Sequence, residues 1–159
     1  MTTKTKRTKQ DFVKQGKRNK VRGSDFERRV RKDLQSKEWI VSKWMNNIEF
    51  YEDMQSFDSH VAPIKGKLIP AKHKFCGIGR PMAIGTGFPD FVAFRISNSI
   101  KPHNYCEVIG VEAKSNGYLD KTEKQKCKWL LQNNIFSKIL IASRYKEKNR
   151  VKIKYEEFK

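Results

Sequence analysis

Two apolar runs constrain this chain more than any other feature. "GFPDFVAF" spans Gly87 to Phe94, and "VIGVEAKS" spans Val108 to Ser115. Pro89 can begin a strand but cannot sit inside a central one. Phe91 to Phe94 is apolar at every position, the pattern of a strand covered on both faces. Glu107 to Lys114 reads as the next strand, and the turn residues from Ser97 to Asn104 make the pair an antiparallel hairpin. Side chains alternate along a strand. Val111 and Ala113 therefore point to the core, while Glu112 and Lys114 share the other face. An antiparallel hairpin carries the start of its first strand toward the end of its second. Asp90 is thus expected beside Glu112 and Lys114.

The elements around this hairpin follow from period and caps. Phe26, Val30 and Leu34 recur at helical spacing, and Ser24-Asp25-Phe26-Glu27 has the form of a capping box that opens their helix, which should end near Ser36. "WIVSKWM" at Trp39 to Met45 is aromatic and β-branched, as strands are. Asp120-Lys121-Thr122-Glu123 is a second box. It opens a helix whose apolar face holds Cys127, Leu130 and Leu131, with Asn133-Asn134 as its stop. "KILIASRY" at Lys138 to Tyr145 is a buried strand, and "VKIKYEEF" alternates like a half-exposed edge strand. The expected fold is α/β (α+β), a mixed sheet of about five strands flanked by helices, in the order α-β-(insert)-β-β-α-β-β. Residues 1–22 are dense in Lys and Arg and are expected to be a basic, disordered tail. This tail is either a phosphate-contacting arm or a solubilising extension. Residues 23–159 form one domain, interrupted by an insertion at about 46–86 that lacks a sustained period. Within it, "KGKLIPAKHKF" is expected to form a short hairpin or a DNA-facing flap. Trp39, Trp44 and Trp129 read as core.

Charge narrows the partner. The chain of 159 residues carries 35 Lys and Arg against 17 Asp and Glu, a net charge of +18. Such an excess favours a polyanion, nucleic acid before a membrane surface, because no amphipathic helix with a bare apolar face is evident. No run of about 18 apolar residues is long enough to span a membrane. There is no secretory h-region, and the three cysteines are an odd, scattered set, so the expected location is intracellular. His73-x-x-Cys76 and His103-x-x-Cys106 have zinc-like spacing, but the hairpin topology sets them at opposite ends.

Two carboxylates close together in a partly dry site repel strongly, and a hard divalent cation removes that penalty. Carboxylate oxygens suit Mg²⁺, which binds phosphate oxygens well. A lysine beside it can orient or help deprotonate an attacking water, and it can offset charge in the transition state of phosphodiester hydrolysis.

On these residues the chain resembles the PD-(D/E)XK nuclease superfamily, with Asp90 as the "PD" acid and Glu112-x-Lys114 as the "E-x-K". Glu27 in "GSDFERRV" is similar to the helix glutamate of archaeal Holliday junction resolvases. "EAKSNGYLDKTEKQKCKWLL" resembles the VRR-NUC and resolvase pattern of E-x-K, a glycine, then a helix bearing a glutamine, here Gln125. The resemblance implies that Asp90 and Glu112 bind Mg²⁺ (Mn²⁺ as substitute), with the carbonyl of Ala113 as a further ligand. Lys114 would position the water, Glu27 would hold a metal-bound water or a second ion, and Gln125 would orient the lysine or the scissile phosphate. It further implies an endonuclease acting on DNA, with branched or junction DNA favoured, and a homodimer. The long insert departs from compact resolvases. Lys65, Lys67, Lys72, Lys74 and Arg80 could line a DNA track there. An inactive nucleic-acid-binding module and an RNA endonuclease are the rival expectations.

Overall fold

The computed structural model describes residues 8–51, 64–74, 83–84, 87–97, 105–148 and 150–159. The chain runs α1 (Lys9–Ser36), β1 (Ile40–Lys43), β2 (Asn46–Phe50), β3 (Gly66–Pro70), β4 (His73–Lys74), β5 (Ala83–Ile84), β6 (Phe91–Ser97), β7 (Tyr105–Ala113), α2 (Lys121–Gln132), β8 (Lys138–Glu147) and β9 (Arg150–Glu157). Five strands form one mixed sheet in the order β1-β6-β7-β8-β9. Only β7 and β8 are parallel, and α2 is the crossover that a parallel pair requires. The protein is thus α+β, a five-stranded mixed sheet flanked by two helices.

The two faces of the sheet are packed separately. On one, Phe26, Val30 and Leu34 of α1 lie against Val41, Phe91, Ala93, Ile109, Val111 and Ala142. On the other, Cys127 and Leu130 of α2 lie with Phe136, Ile139, Ile141 and Phe88. β7 and β8 alternate between these cores, which is why they read as unbroken apolar runs. Full burial of a Val, Leu or Ile side chain contributes about 1.5–3 kcal/mol, so these few residues fix where each helix sits. Trp39 and Trp129 are buried, and Trp44 meets Phe136 edge-on. At the far edge, the Tyr155 hydroxyl donates to Asp33 Oδ2 at 2.7 Å, tying β9 to α1.

Two expectations change here. The first helix does not open at Ser24. It begins at Lys9, capped by a reciprocal Thr8–Asp11 box, and runs unbroken for 28 residues. Asp25 instead pairs with Arg28 at 2.8 Å. Residues 9–22, expected as a disordered tail, are therefore helical. Lys, Arg and Gln are good helix formers, and a segment that extends an already packed helix needs no fresh nucleus. Residues 1–7 lie outside the described residues.

The second change concerns the insert. The "KGKLIPAKHKF" segment does not fold back on itself. It supplies β3, which pairs with β2, and β4, which pairs with β5. The β2–β3 ribbon covers the α2 face, with Ile48, Phe50 and Ile64 joining that core. A Cβ at Gly66 would come within 3.2 Å of Trp129 Nε1, so the ribbon lies close against α2.

Candidate active site

Pro89 ends the β6–β7 ladder and is fully buried. It packs against Gly110, where a Cβ would meet Pro89 Cγ at 2.9 Å and Phe136 Cδ2 at 3.0 Å. This close approach sets Asp90 one step beyond the Phe91↔Val111 pair, level with Glu112. Here the two side chains replace the backbone ladder. The Asp90 N–H donates to Glu112 Oε2 at 3.0 Å, and the Ala113 N–H donates to Asp90 Oδ2 at 3.0 Å. Each carboxylate thereby satisfies an amide that the ending strand leaves open.

An ion pair flanks this carboxylate pair from each helix. Lys114 Nζ lies 3.3 Å from Glu112 Oε1 and makes a closer pair with Glu123 Oε1. Glu123 Oε2 accepts the Asp120 N–H at 3.0 Å, closing the α2 capping box. On the α1 side, Glu27 Oε2 pairs with Lys43 Nζ at 2.6 Å. Lys43 also lies over the Phe91 ring, 4.9 Å from its centroid. The charges of Glu27 and Lys43 both reach Asp90, the first raising its pKa and the second lowering it.

Burial dominates the electrostatics. Glu112 is 6% exposed, the one charged residue in the core among those described. Desolvation first, then the Asp90 charge, pushes its pKa up to about 8, against the pull of Lys114. Desolvation raises Asp90 as well, and the Ala113 N–H opposes it. Burial pulls on the Lys114 ammonium in the opposite sense, but Glu123 and Glu112 outweigh it and its pKa ends above the usual lysine value. Lys114 is therefore an ammonium at neutral pH, a donor and not a base. Behind the site, burial followed by the Glu112 and Glu123 charges pushes the Cys127 thiol up to about 12, which leaves it unreactive.

The donor set suits a hard cation. Asp90 and Glu112 are desolvated carboxylates whose mutual repulsion a divalent ion would relieve. Asp90 Oδ1 has no hydrogen-bond partner among the described residues. An extended residue sends its N–H and C=O to the same side, so the Ala113 carbonyl faces the Asp90 edge. Among the described residues no group of three or more His, Cys, Asp or Glu side chains forms a metal-binding cluster. Two carboxylates are enough for Mg²⁺, which keeps several waters and takes only one or two of them.

Asp90, Glu112, Ala113 and Lys114 thus lie together, with Glu27 alongside but engaged by Lys43. Gln125 does not join them. It lies two residues from Glu123, roughly 200° around α2, and makes no hydrogen bond to these carboxylates among the described residues. Glu123 occupies the place beside the lysine where a glutamine was expected. The capping-box spacing marked Glu123 as N3 of α2, but only the β7–α2 crossover puts N3 against Lys114. Lys43 left no sequence signal beyond its place at a strand end. Of the basic insert residues, Lys67 pairs with Glu49 at 3.1 Å, and Lys65 and Lys72 are exposed. The Lys74 side chain, Arg80, Cys76 and His103 lie outside the described residues.

No protein-family model matches the chain, and comparison with curated proteins and solved structures found no similar one.

Proposed function

We propose that the protein is a divalent-metal-dependent endonuclease of the PD-(D/E)XK type that hydrolyses DNA phosphodiester bonds, with branched or junction DNA as the favoured substrate. One observation carries this reading. Asp90 and Glu112 are crossed over one another and desolvated at a strand end, with the Lys114 ammonium at their side. The net charge of +18 supplies the attraction for a polyanion.

In this reading Asp90, Glu112 and the Ala113 carbonyl would hold the cation, whose chemistry when bound would be to polarise a phosphate oxygen and lower the pKa of a water. Lys114, kept protonated by Glu123, donates a hydrogen bond that orients the attacking water and offsets negative charge on the phosphoryl oxygens as the water oxygen bonds to phosphorus and the P–O ester bond breaks, the water giving its proton to solvent and the departing alkoxide taking one from it. Glu123 holds Lys114 in place from α2. Lys43, tied to Glu27, contributes a second positive charge on the α1 side, where the phosphate backbone would enter.

Supercoiled plasmid and a labelled four-way junction, each incubated with Mg²⁺ or with EDTA, test the reading. Cleavage should require Mg²⁺ and be lost in Asp90→Asn while DNA binding is retained. Nicking that continues unchanged in that variant would remove the assignment. Cleavage restricted to an RNA version of the scissile strand would redirect it to RNA.

A further inference from the structure

We propose that the N-terminal half of α1, from Thr8 to Asp25, is a phosphate-contacting arm that lies along the nucleic acid and is rooted at the candidate active site. This rests on the reading above that the partner is a nucleic acid, and it names the element that tracks that partner's backbone.

Every residue from Thr8 to Asp25 is exposed, and the buried stripe of α1 starts only at Phe26. Half of the longest element in the protein therefore adds nothing to either core. Six cations stand on it (Lys9, Lys14, Lys17, Arg18, Lys20 and Arg22), against Asp11 and Asp25, a net charge of +4. Both acids are already engaged, Asp11 in the Thr8 cap and Asp25 with Arg28. None of the six cations is in an ion pair among the described residues. A basic rod with its acids neutralised locally has a polyanion as its complement.

Length and direction fit a duplex. The seventeen helical residues from Lys9 to Asp25 span about 26 Å. Duplex DNA carries one charge per about 1.7 Å of axis, so the arm passes on the order of ten phosphates. Because α1 is continuous, the arm joins the core where the buried stripe starts at Phe26, next to Glu27, whose carboxylate pairs with Lys43 and whose charge reaches Asp90. A backbone seated at Asp90 and Glu112 would continue along it.

Its other possible occupants fit less well. A coiled-coil partner or a membrane needs a continuous apolar stripe. The exposed apolar residues of the arm are Phe12, Val13 and Val21. At 100° per residue they spread over roughly 180° of the helix surface and form no seam.

The test is a full-length Lys14→Gln/Lys17→Gln/Arg18→Gln/Lys20→Gln variant, compared with the parent for binding to fluorescein-labelled duplex in EDTA across a salt series. Glutamine is a good helix former, so circular dichroism should show α1 retained. The plot of log Kd against log salt should flatten by about 0.9 for each phosphate that the variant no longer neutralises, about 3.6 if all four side chains reach one. Affinity at low salt should fall at least about tenfold, as the removal of several such charges requires. An unchanged slope with unchanged affinity would overturn the arm. So would a variant that loses self-association or binding to anionic vesicles while keeping its affinity for DNA. Binding in EDTA needs no catalysis, so absence of cleavage by the parent would sink the nuclease reading and still leave the arm measurable.

Discussion

Glu107 and Glu112 lie five residues apart on β7, and their environments drive them in opposite directions. Glu107 sits at the open end of the strand, with Lys138 at 2.6 Å and Arg95 at 3.2 Å. The Lys138 hydrogen bond, ahead of a smaller cost of burial, holds its carboxyl below the usual glutamate range. Glu112 also has a lysine, but it is buried, shares its place with Asp90, and rises to about 8. A cation alone does not decide the state of a carboxylate. Water access and the nearest like charge decide it. The pairing at Glu107 completes itself, whereas the one at Glu112 leaves excess repulsion that a further cation could relieve.

The largest effect should come from removing each charge in turn. Glu112→Gln should lower Mg²⁺-dependent cleavage on the order of 10³-fold, the loss of several kcal/mol of transition-state stabilisation. Glu107→Gln should leave the rate near that of the parent. Comparable losses from both substitutions, measured by plasmid nicking, would erase the distinction between the two ends of the strand.

Gly110, between the two glutamates, offers a structural test. Gly110→Ala presses a Cβ onto Pro89 and Phe136 and should cost about 1–3 kcal/mol in urea unfolding. The displaced Pro89 carries Asp90 with it, so cleavage should fall too, while the Glu107–Lys138 end stays intact. A stable, fully active Gly110→Ala variant would show that the proline contact does not position Asp90.

A smaller effect is the pH dependence of stability in metal-free buffer. Folded Glu112 keeps its proton from the unfolded value of 4.5 up to about 8, where the unfolded chain has released it. Its contribution therefore makes stability fall as pH rises across that window. Glu107, held below 4.5, contributes stability that is present above that value and is lost as pH falls through its folded pKa. Glu112→Gln should flatten the decline in Tm between pH 4.5 and about 8, and Glu107→Gln should flatten only the loss of stability below pH 4.5. A Glu112→Gln protein with the parental slope would mean that the carboxyl is not desolvated.

Much of the frame was legible because it depends on local order. Phe26, Val30 and Leu34 mark the buried stripe of α1, and Asp120 with Glu123 marks the start of α2. The helix end at Asn133 and the edge position of β9 follow from short-range pattern as well. Asp90 beside Glu112 was legible because a hairpin has one simple register and Pro89 marks its start. Misreadings arose where two local signals competed. Ser24 to Glu27 has the form of a cap, yet Thr8 and Asp11 have it too, and which box closes depends on whether the intervening residues are already helical. The insert was opaque because β2 and β3 pair across a long sequence separation, for which period-2 alternation names no partner.

Residue order by itself determined the buried stripes of both helices, the cap of α2, the alternation that sends Val111 inward and Glu112 to the opposite face, and a net charge of +18. Tertiary structure alone decided that Glu123 and not Gln125 meets Lys114, that Lys43 closes on Glu27, and that Glu112 is dry enough to hold its proton. Covalent sequence sets near-neighbour geometry. Desolvation and ion pairing depend on distances between segments that only the folded sheet brings together.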